Sequence, residues 1–167
     1  YHQTFIKHVF CVSQYDYNFL SQYVLPAPSM VTCVVNGLED SVFYSDTVKK
    51  RQIAYMPRKN SLDASIVSSL ISSCRLLDAW KLVPISKLPH AEVISILRES
   101  YLFLSFGHPE GFGLPVAEAM ACACGVIGYS GLGGRELFKI GSAFLTVEEI
   151  SVGDWGGYLS AIKDFEL

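Results

Sequence analysis

The sequence predicts an α/β fold, a Rossmann-like parallel sheet with helices on both faces. Three observations carry this. Apolar runs of strand length occur at 52–56, 80–83, 102–106 and 126–129, as expected of strands covered on both faces. Helically spaced runs at 62–77, 90–100 and 114–122 separate them, so strands and helices alternate. Glycine-bearing turns at 111–113 and 131–134 follow the last two of those strands. Parallel sheets bind ligands at that end of their strands.

Composition agrees with this class and excludes others. The 167 residues are 50% hydrophobic and 17% charged, enough for a real core and far from a disordered chain. The net charge is −3, and the longest basic run is Lys49, Lys50 and Arg51, which argues against a nucleic-acid partner. The apolar stretch 119–129 is too short to span a bilayer, so no transmembrane segment is expected. Residues 1–12 lack the charged start and long apolar core of a signal peptide. The five cysteines are odd in number and form no C-x-x-C pair. They read as buried reduced thiols of a cytosolic protein. Cys122 and Cys124 have no histidine at metal-ligand spacing, and no metal site is expected.

The elements follow in order. Residues 9–13 form a short apolar strand and 15–24 a helix closed by Pro26 and Pro28. Residues 31–35 form a strand ended by the turn dipeptide Asn36–Gly37. The polar stretch 41–51 reads as a linker. The alternating strands and helices come next, from 52 to 129. A last short strand is expected at 143–145 and a closing helix at 155–165.

The chemistry concentrates in HPEGFGLPVAEAMACACG, 108–125. Gly111 and Gly113 fall in a strand-to-helix turn, where glycine permits positive φ and close approach of a ligand to the backbone. Pro115 suits the first helical position, where a missing N–H costs nothing. The amides of Phe112, Gly113, Leu114 and Val116 are expected to lack helical partners. With the helix dipole they make an anion site suited to phosphate. Glu110 and Glu118 are acceptors that can each take two bonds from neighbouring hydroxyls, as sugars and ribose offer. Arg58 and Lys59 follow the strand at 52–56, at the same sheet edge, and are the candidates to neutralise a diphosphate.

Competing motifs fail on single positions. A dinucleotide fingerprint at 131–134 needs glycine where Glu136 stands, no P-loop lysine follows a glycine run, and a nucleophile elbow needs glycine at Leu132. No D-x-D pair occurs, which argues against a metal-dependent nucleotide-sugar site. His108 reads as a loop histidine or a donor contact, and His90 as a helix start. Glu136 reads as a helix start or a pocket residue, and Phe112 as packing or pocket lining.

The stretch EGFGLPVAEAMACACGVIGYSGLGGREL closely resembles the E-x7-E region of glycosyltransferase family 4, in the C-terminal domain of the GT-B fold. VSQYDYNFLSQY with VTCVVNGLE resembles the family's crossing from its N-terminal domain, and IAYMPRKN its first C-domain strand and basic loop. The resemblance covers 9–145, with high specificity at 103–137. It departs from the family pattern in the adjacency of Arg58 and Lys59 and at Ala123 and Gly125.

The resemblance implies two parts: 1–46 as the tail of an otherwise missing N-terminal domain plus linker, and 47–167 as a nucleotide-sugar-binding domain, itself cut short at its end. It implies the donor half of a retaining, metal-independent glycosyltransferase. Such an enzyme moves a sugar from a nucleotide diphosphate sugar to a glycan or lipid-linked glycan. Glu110 is then the catalytic residue touching the donor sugar, Glu118 binds the ribose, and Gly111, Phe112, Gly113, Leu114, Arg58 and Lys59 hold sugar and diphosphate. No cofactor is implied. The carbohydrate acceptor binds through the missing domain, and the location is cytoplasmic or peripheral to a membrane through that domain. The alternative is a nucleotide-sugar-binding module with no transfer activity of its own. On either reading, 1–46 is expected to leave apolar surface exposed.

Overall fold

A computed structural model describes residues 6–25, 27, 30–74 and 80–165. Two parallel sheets result. The smaller pairs β1 (Val9–Cys11) with β2 (Val31–Cys33). Between them runs α1 (Gln14–Phe19), continued by one wider turn at Leu20–Val24. Ser13 starts α1 by accepting a hydrogen bond from the Asp16 amide, the usual role of serine at a helix start. Pro26 and Pro28 lie outside the described residues.

The larger sheet holds β3 (Lys50–Tyr55), β4 (Lys81–Pro84), β5 (Ser100–Ser105), β6 (Gly125–Gly128) and β7 (Val147–Glu149). Their spatial order is β4-β3-β5-β6-β7, all parallel. The helices are α2 (Ser61–Ser73), α3 (His90–Glu99), α4 (Leu114–Ala121), α5 (Arg135–Gly141) and α6 (Trp155–Phe165). Strand β5 shows why this layering follows from its sequence. Leu102 and Leu104 point into a core with Val67 and Ile71 of α2 and Tyr158 and Ile162 of α6. Phe103 points into the opposite core, with Leu97 of α3, Ala119 of α4 and Phe138 of α5. Alternate residues of a strand face opposite sides, so an uninterrupted apolar run requires a cover on each.

The chain order sets the ligand-binding edge. It goes from β3 outward to β4, then crosses back to β5 on the other side of β3. That reversal is a topological switch point, and the crevice lies between the loops after β3 and β5.

Three expectations need correction. Residues 50 and 51 already belong to β3; they are exposed where the strand enters the sheet, and their polarity disguises them. Residues 143–145 are not a strand. Their amides bond back to Ile140 and Gly141, prolonging the end of α5, and the last strand comes two residues later. Helix α5 itself was not expected, because seven residues after a glycine run show little periodicity. The predicted helix over 62–77 ends at Ser73 in the structure, and its last positions, 75–77, lie outside the described residues.

The stretch read as a linker is anchored. Phe43 is buried in the second core. Arg98 donates to the Val42 carbonyl at 2.9 Å and lies 3.6 Å over the Tyr44 ring. Lys49 donates to the carbonyls of Leu97 and Cys122, satisfying the last turns of α3 and α4. Before it, Phe10 of β1, Tyr23 in the turn after α1 and Val35 after β2 are at least 70% exposed, so this part of the chain presents apolar side chains to solvent. All five cysteines are free, and Cys11, Cys122 and Cys124 are buried; Cys33 is only half-buried and Cys74, at the end of α2, is exposed, which corrects the expectation of five buried thiols. Burial pushes the Cys124 thiol up to about 12, which keeps it protonated and able to donate to the Leu97 carbonyl at 3.0 Å.

Candidate functional site

Loops after β3, β5 and β6 meet at the carboxyl ends of the central strands. Lys59, after β3, reaches across the switch point to Glu110, after β5. Its Nζ lies 2.5 Å from Oε1, and each side chain retains about a quarter of its surface. The pair borders a pocket with Met56, Ser105, Gly107 and Ser130. Arg58 is exposed next to it.

The loop of Glu110 is clamped to the loop after β6. The Glu110 amide donates to the Gly131 carbonyl at 2.7 Å, and the Gly133 amide donates to the Glu110 carbonyl at 3.1 Å. Such contact leaves no room for a side chain. A Cβ on Gly133 falls 1.9 Å from the Gly111 oxygen and 2.7 Å from that of Glu110. Gly111→Ala meets nothing closer than 3.6 Å, and its φ lies outside the left-handed region. Gly133→Ala is therefore expected to cost about 3 kcal/mol and Gly111→Ala less than about 0.5 kcal/mol. Urea unfolding of both variants checks the contrast.

The turn then enters α4. Gly113 has φ +87°, a conformation glycine adopts without strain. Its carbonyl accepts from both the Val116 and Ala117 amides. The expectation of a free Val116 amide is thus corrected: that group is engaged. The amides of Phe112, Gly113 and Leu114 precede the first intrahelical bond, at the positive end of the helix dipole. Phe112 is buried, and its ring lines an apolar groove with Ala117, Met120 and Ile140, so its backbone is what the turn offers. Leu114 is exposed.

Glu118 sits one turn into α4, half-buried, and is not among the residues around Lys59 and Glu110. Burial raises its carboxyl above the usual value, and nearby His90 partly opposes the rise. His90 opens α3 and sets its ring 5.7 Å from Phe43. The structure thus brings Lys59 and Glu110 together and leaves Glu118 as a separate acceptor beside α3. Glu136 points away from this site into the apolar groove, with one buried carboxylate oxygen unbonded among the described residues.

Sequence reasoning missed the support beneath the pocket. Asp63, 7% exposed, accepts from Tyr129 at 2.7 Å, Asn60 at 2.9 Å and Trp155 at 3.0 Å. Asn60 adjoins Lys59, and Tyr129 begins the loop that clamps Glu110. Burial pushes the Tyr129 phenol up to about 12, so it stays a donor to Asp63. Asn60 and Asp63 at helix-start spacing were the readable half of this network; its tyrosine and tryptophan lie far along the chain. Among the described residues no group of three His, Cys, Asp or Glu is placed to hold a metal ion, and no helix is long and apolar enough to cross a membrane.

A parallel sheet with a glycine turn and helix start at its switch point defines a Rossmann-like α/β unit of the kind that forms half of a GT-B glycosyltransferase. The chain is similar over 98% of its length to sucrose-phosphate synthase from Thermosynechococcus elongatus, with a TM-score of 0.72 at 17% identity. It is similar over 97% to a TarM variant from S. aureus solved with fondaparinux, alpha-GlcNAc-glycerol and UDP, with a TM-score of 0.68 at 13% identity. A third similar structure is HepE from Anabaena in complex with UDP and glucose, with a TM-score of 0.67 at 13% identity over 97% of this chain. The chain spans 51%, 37% and 54% of those three proteins. The family model for glycosyl transferases group 1 matches residues 67–162, more than half of the chain, and the protein belongs to that family. An alpha-1,6-glucosyltransferase of Actinobacillus pleuropneumoniae serotype 7 (strain AP76) is 35% identical over 107 residues, 64% of this chain and 30% of that relative. The family match includes Glu110 and Glu118 and begins after Arg58 and Lys59.

Proposed function

We propose that this chain is the donor-binding part of a retaining, metal-independent glycosyltransferase of the E-x7-E type, family 4. Residues 47–167 bind a nucleotide diphosphate sugar, and 1–46 belong to the lobe facing them. One observation carries the reading: Lys59 and Glu110 meet across the switch point, beside the start of α4. A cation, a carboxylate and free helix-start amides are what a diphosphate and an attached sugar require.

The amides of Gly111, Phe112, Gly113 and Leu114 hold the diphosphate, with Lys59 and Arg58 supplying positive charge. Glu110 accepts from the hydroxyls of the donor sugar, and Glu118 from those of the ribose. In transfer the bond from the anomeric carbon to the diphosphate breaks as one to the acceptor hydroxyl oxygen forms, negative charge grows on the departing oxygen, and the hydroxyl proton leaves with the diphosphate. Lys59, Arg58 and the helix start stabilise that charge in place, with no reorganisation during the reaction. The acceptor, a glycan or lipid-linked glycan, comes from the side of the facing lobe. A binding module without transfer of its own is the second reading.

Calorimetric titration with UDP, GDP and their sugars tests the shared part of both readings. Binding of at least one nucleotide is expected, and a folded chain that binds none contradicts both. Release of sugar from the bound donor separates the enzyme from the module.

A further inference from the structure

The smaller sheet places two cysteines side by side. Strands β1 and β2 are parallel, and their register pairs Cys11 directly with Cys33. Neighbouring strands set paired Cα atoms about 5 Å apart, within the roughly 4.4–6.8 Å that a disulfide needs. Side chains at paired positions share a face of the sheet. Cys11 and Cys33 therefore lie on one face with Val9 and Val31, while Phe10 and Thr32 occupy the other, exposed face.

The Cys11 side chain leans over β2. Its Sγ lies 3.7 Å from the carbonyl oxygen of Thr32, the residue bonded to Cys33. Pairing continues past the cysteines, since the Val34 amide donates to the Cys11 carbonyl at 2.8 Å. The two thiols differ in access: Cys11 is 6% exposed and Cys33 is half-buried. Burial pushes the Cys11 thiol up, and Cys33 beside it pushes it further. Cys11 is thus a poor first nucleophile, and Cys33 is the thiol that an external reagent meets. The remaining thiols are placed differently. Cys122 and Cys124 are wholly buried, and burial raises both. Cys74 is exposed at the end of α2.

We propose that Cys11 and Cys33 are a redox-modified pair, oxidised by a low-molecular-weight disulfide to a bridge that staples β1 to β2. The Cys33 thiolate attacks one sulfur of the reagent, breaks its S–S bond and releases one thiol. The Cys11 thiolate then attacks the Cys33 sulfur of the mixed disulfide and releases the second. Both protein thiols lose their protons, one new S–S bond joins them, and two electrons reduce the reagent to two thiols. The bridge closes the segment that carries α1. That segment borders the turn before α4: the atoms nearest a Cβ on Gly111 are Asp16 Oδ2 and a Val12 methyl, each at 3.6 Å. The oxidised pair ties down the helix beside Gly111, and its formation is independent of the donor reading.

Oxidised glutathione added to the whole chain tests this, in a Cys74→Ser background that removes the exposed thiol. The folded protein is expected to become lighter by two hydrogen atoms and to stay monomeric. Chymotrypsin cuts after aromatic residues such as the exposed Tyr23. The pieces holding Cys11 and Cys33 should then stay joined until a reductant is added. Cys33→Ala should resist the reagent, and Cys11→Ala should stop at an adduct of one glutathione. Bridging equilibrium against glutathione should be at least about tenfold more favourable in the folded chain than in urea, because the bridge closes a loop that folding has closed already. No reaction, a glutathione adduct that persists on the intact pair, a covalent dimer or a bridge to Cys122 or Cys124 overturns the proposal. So does a bridge no more favoured in the folded chain than in urea. The mass and urea measurements leave the pair unsubstituted, so they decide even where a cysteine variant fails to fold.

Discussion

Asp63→Ala is expected to destabilise the protein by about 3–5 kcal/mol, because it strands several buried donors at once. The Tyr129 hydroxyl, the Trp155 indole N–H and the Asn60 amide all converge on this carboxylate. The tyrosine is 1% exposed, so water cannot replace the lost partner. For a domain of this size the loss corresponds to a fall in melting temperature of roughly 10 °C or more. Trp155→Phe removes one donor and leaves Asp63 two, so about 1 kcal/mol is expected. Thermal unfolding followed by circular dichroism orders the two variants, and equal losses would contradict a shared acceptor. Asp63 also fixes the neighbours of both members of the Lys59–Glu110 pair. Nucleotide affinity should therefore fall in Asp63→Asn by more than in Trp155→Phe, measured where both remain folded.

Glu118→Gln is expected to have opposite effects on stability and binding. Burial raises the Glu118 carboxyl, so the folded protein holds that proton more tightly than the unfolded chain does. Its contribution to stability is then complete below the unfolded value of about 4.3 and is lost as pH rises through the higher folded value. Glutamine has no charge to desolvate. The variant should gain on the wild type across that window and be at least as stable at neutral pH. Nucleotide binding should move the other way. An ionised carboxylate accepts from ribose hydroxyls, and its loss costs about 1.5–3 kcal/mol, or roughly 10- to 100-fold in affinity. In the wild type the same contact should strengthen as pH climbs through the raised value. Denaturant titrations and calorimetry at several pH values measure both arms. A variant that is less stable yet binds equally well would remove Glu118 from the site.

Which parts were legible follows from what each residue faces. Strand β5 was plain because both its faces are buried from Leu102 on, so LFLSF carries one polar residue, Ser105, whose hydroxyl is buried and donates to the Tyr129 carbonyl. Strand β7 was not: VEE sits on the sheet edge, with both glutamates exposed. It is a strand because β6 offers it hydrogen bonds, a cause that no local run can show. Gly113 could be read as a turn glycine from its place before Leu114 and Pro115, and its φ bears that out. Gly133 was readable as part of a glycine turn, but not the reason it must be glycine, which is the Gly111 carbonyl of a different loop. Lys59 and Glu110 were each readable as following a strand. Their meeting depends on β3 and β5 being neighbours, which alternation alone leaves open. The Asp63 network joins residues 66 and 92 positions apart, beyond the reach of any motif.

The central claim is that the turn from Gly111 to Leu114, with Lys59 and Glu118, holds a nucleoside diphosphate. Amide chemical-shift mapping of the chain with UDP or GDP tests it most directly. The account predicts saturable shifts at Gly111, Phe112, Gly113 and Leu114, extending to Glu118 and to Lys59, and their disappearance in Glu118→Ala. Shifts confined to other loops, or a spectrum unchanged at millimolar concentrations of both nucleotides, would contradict it.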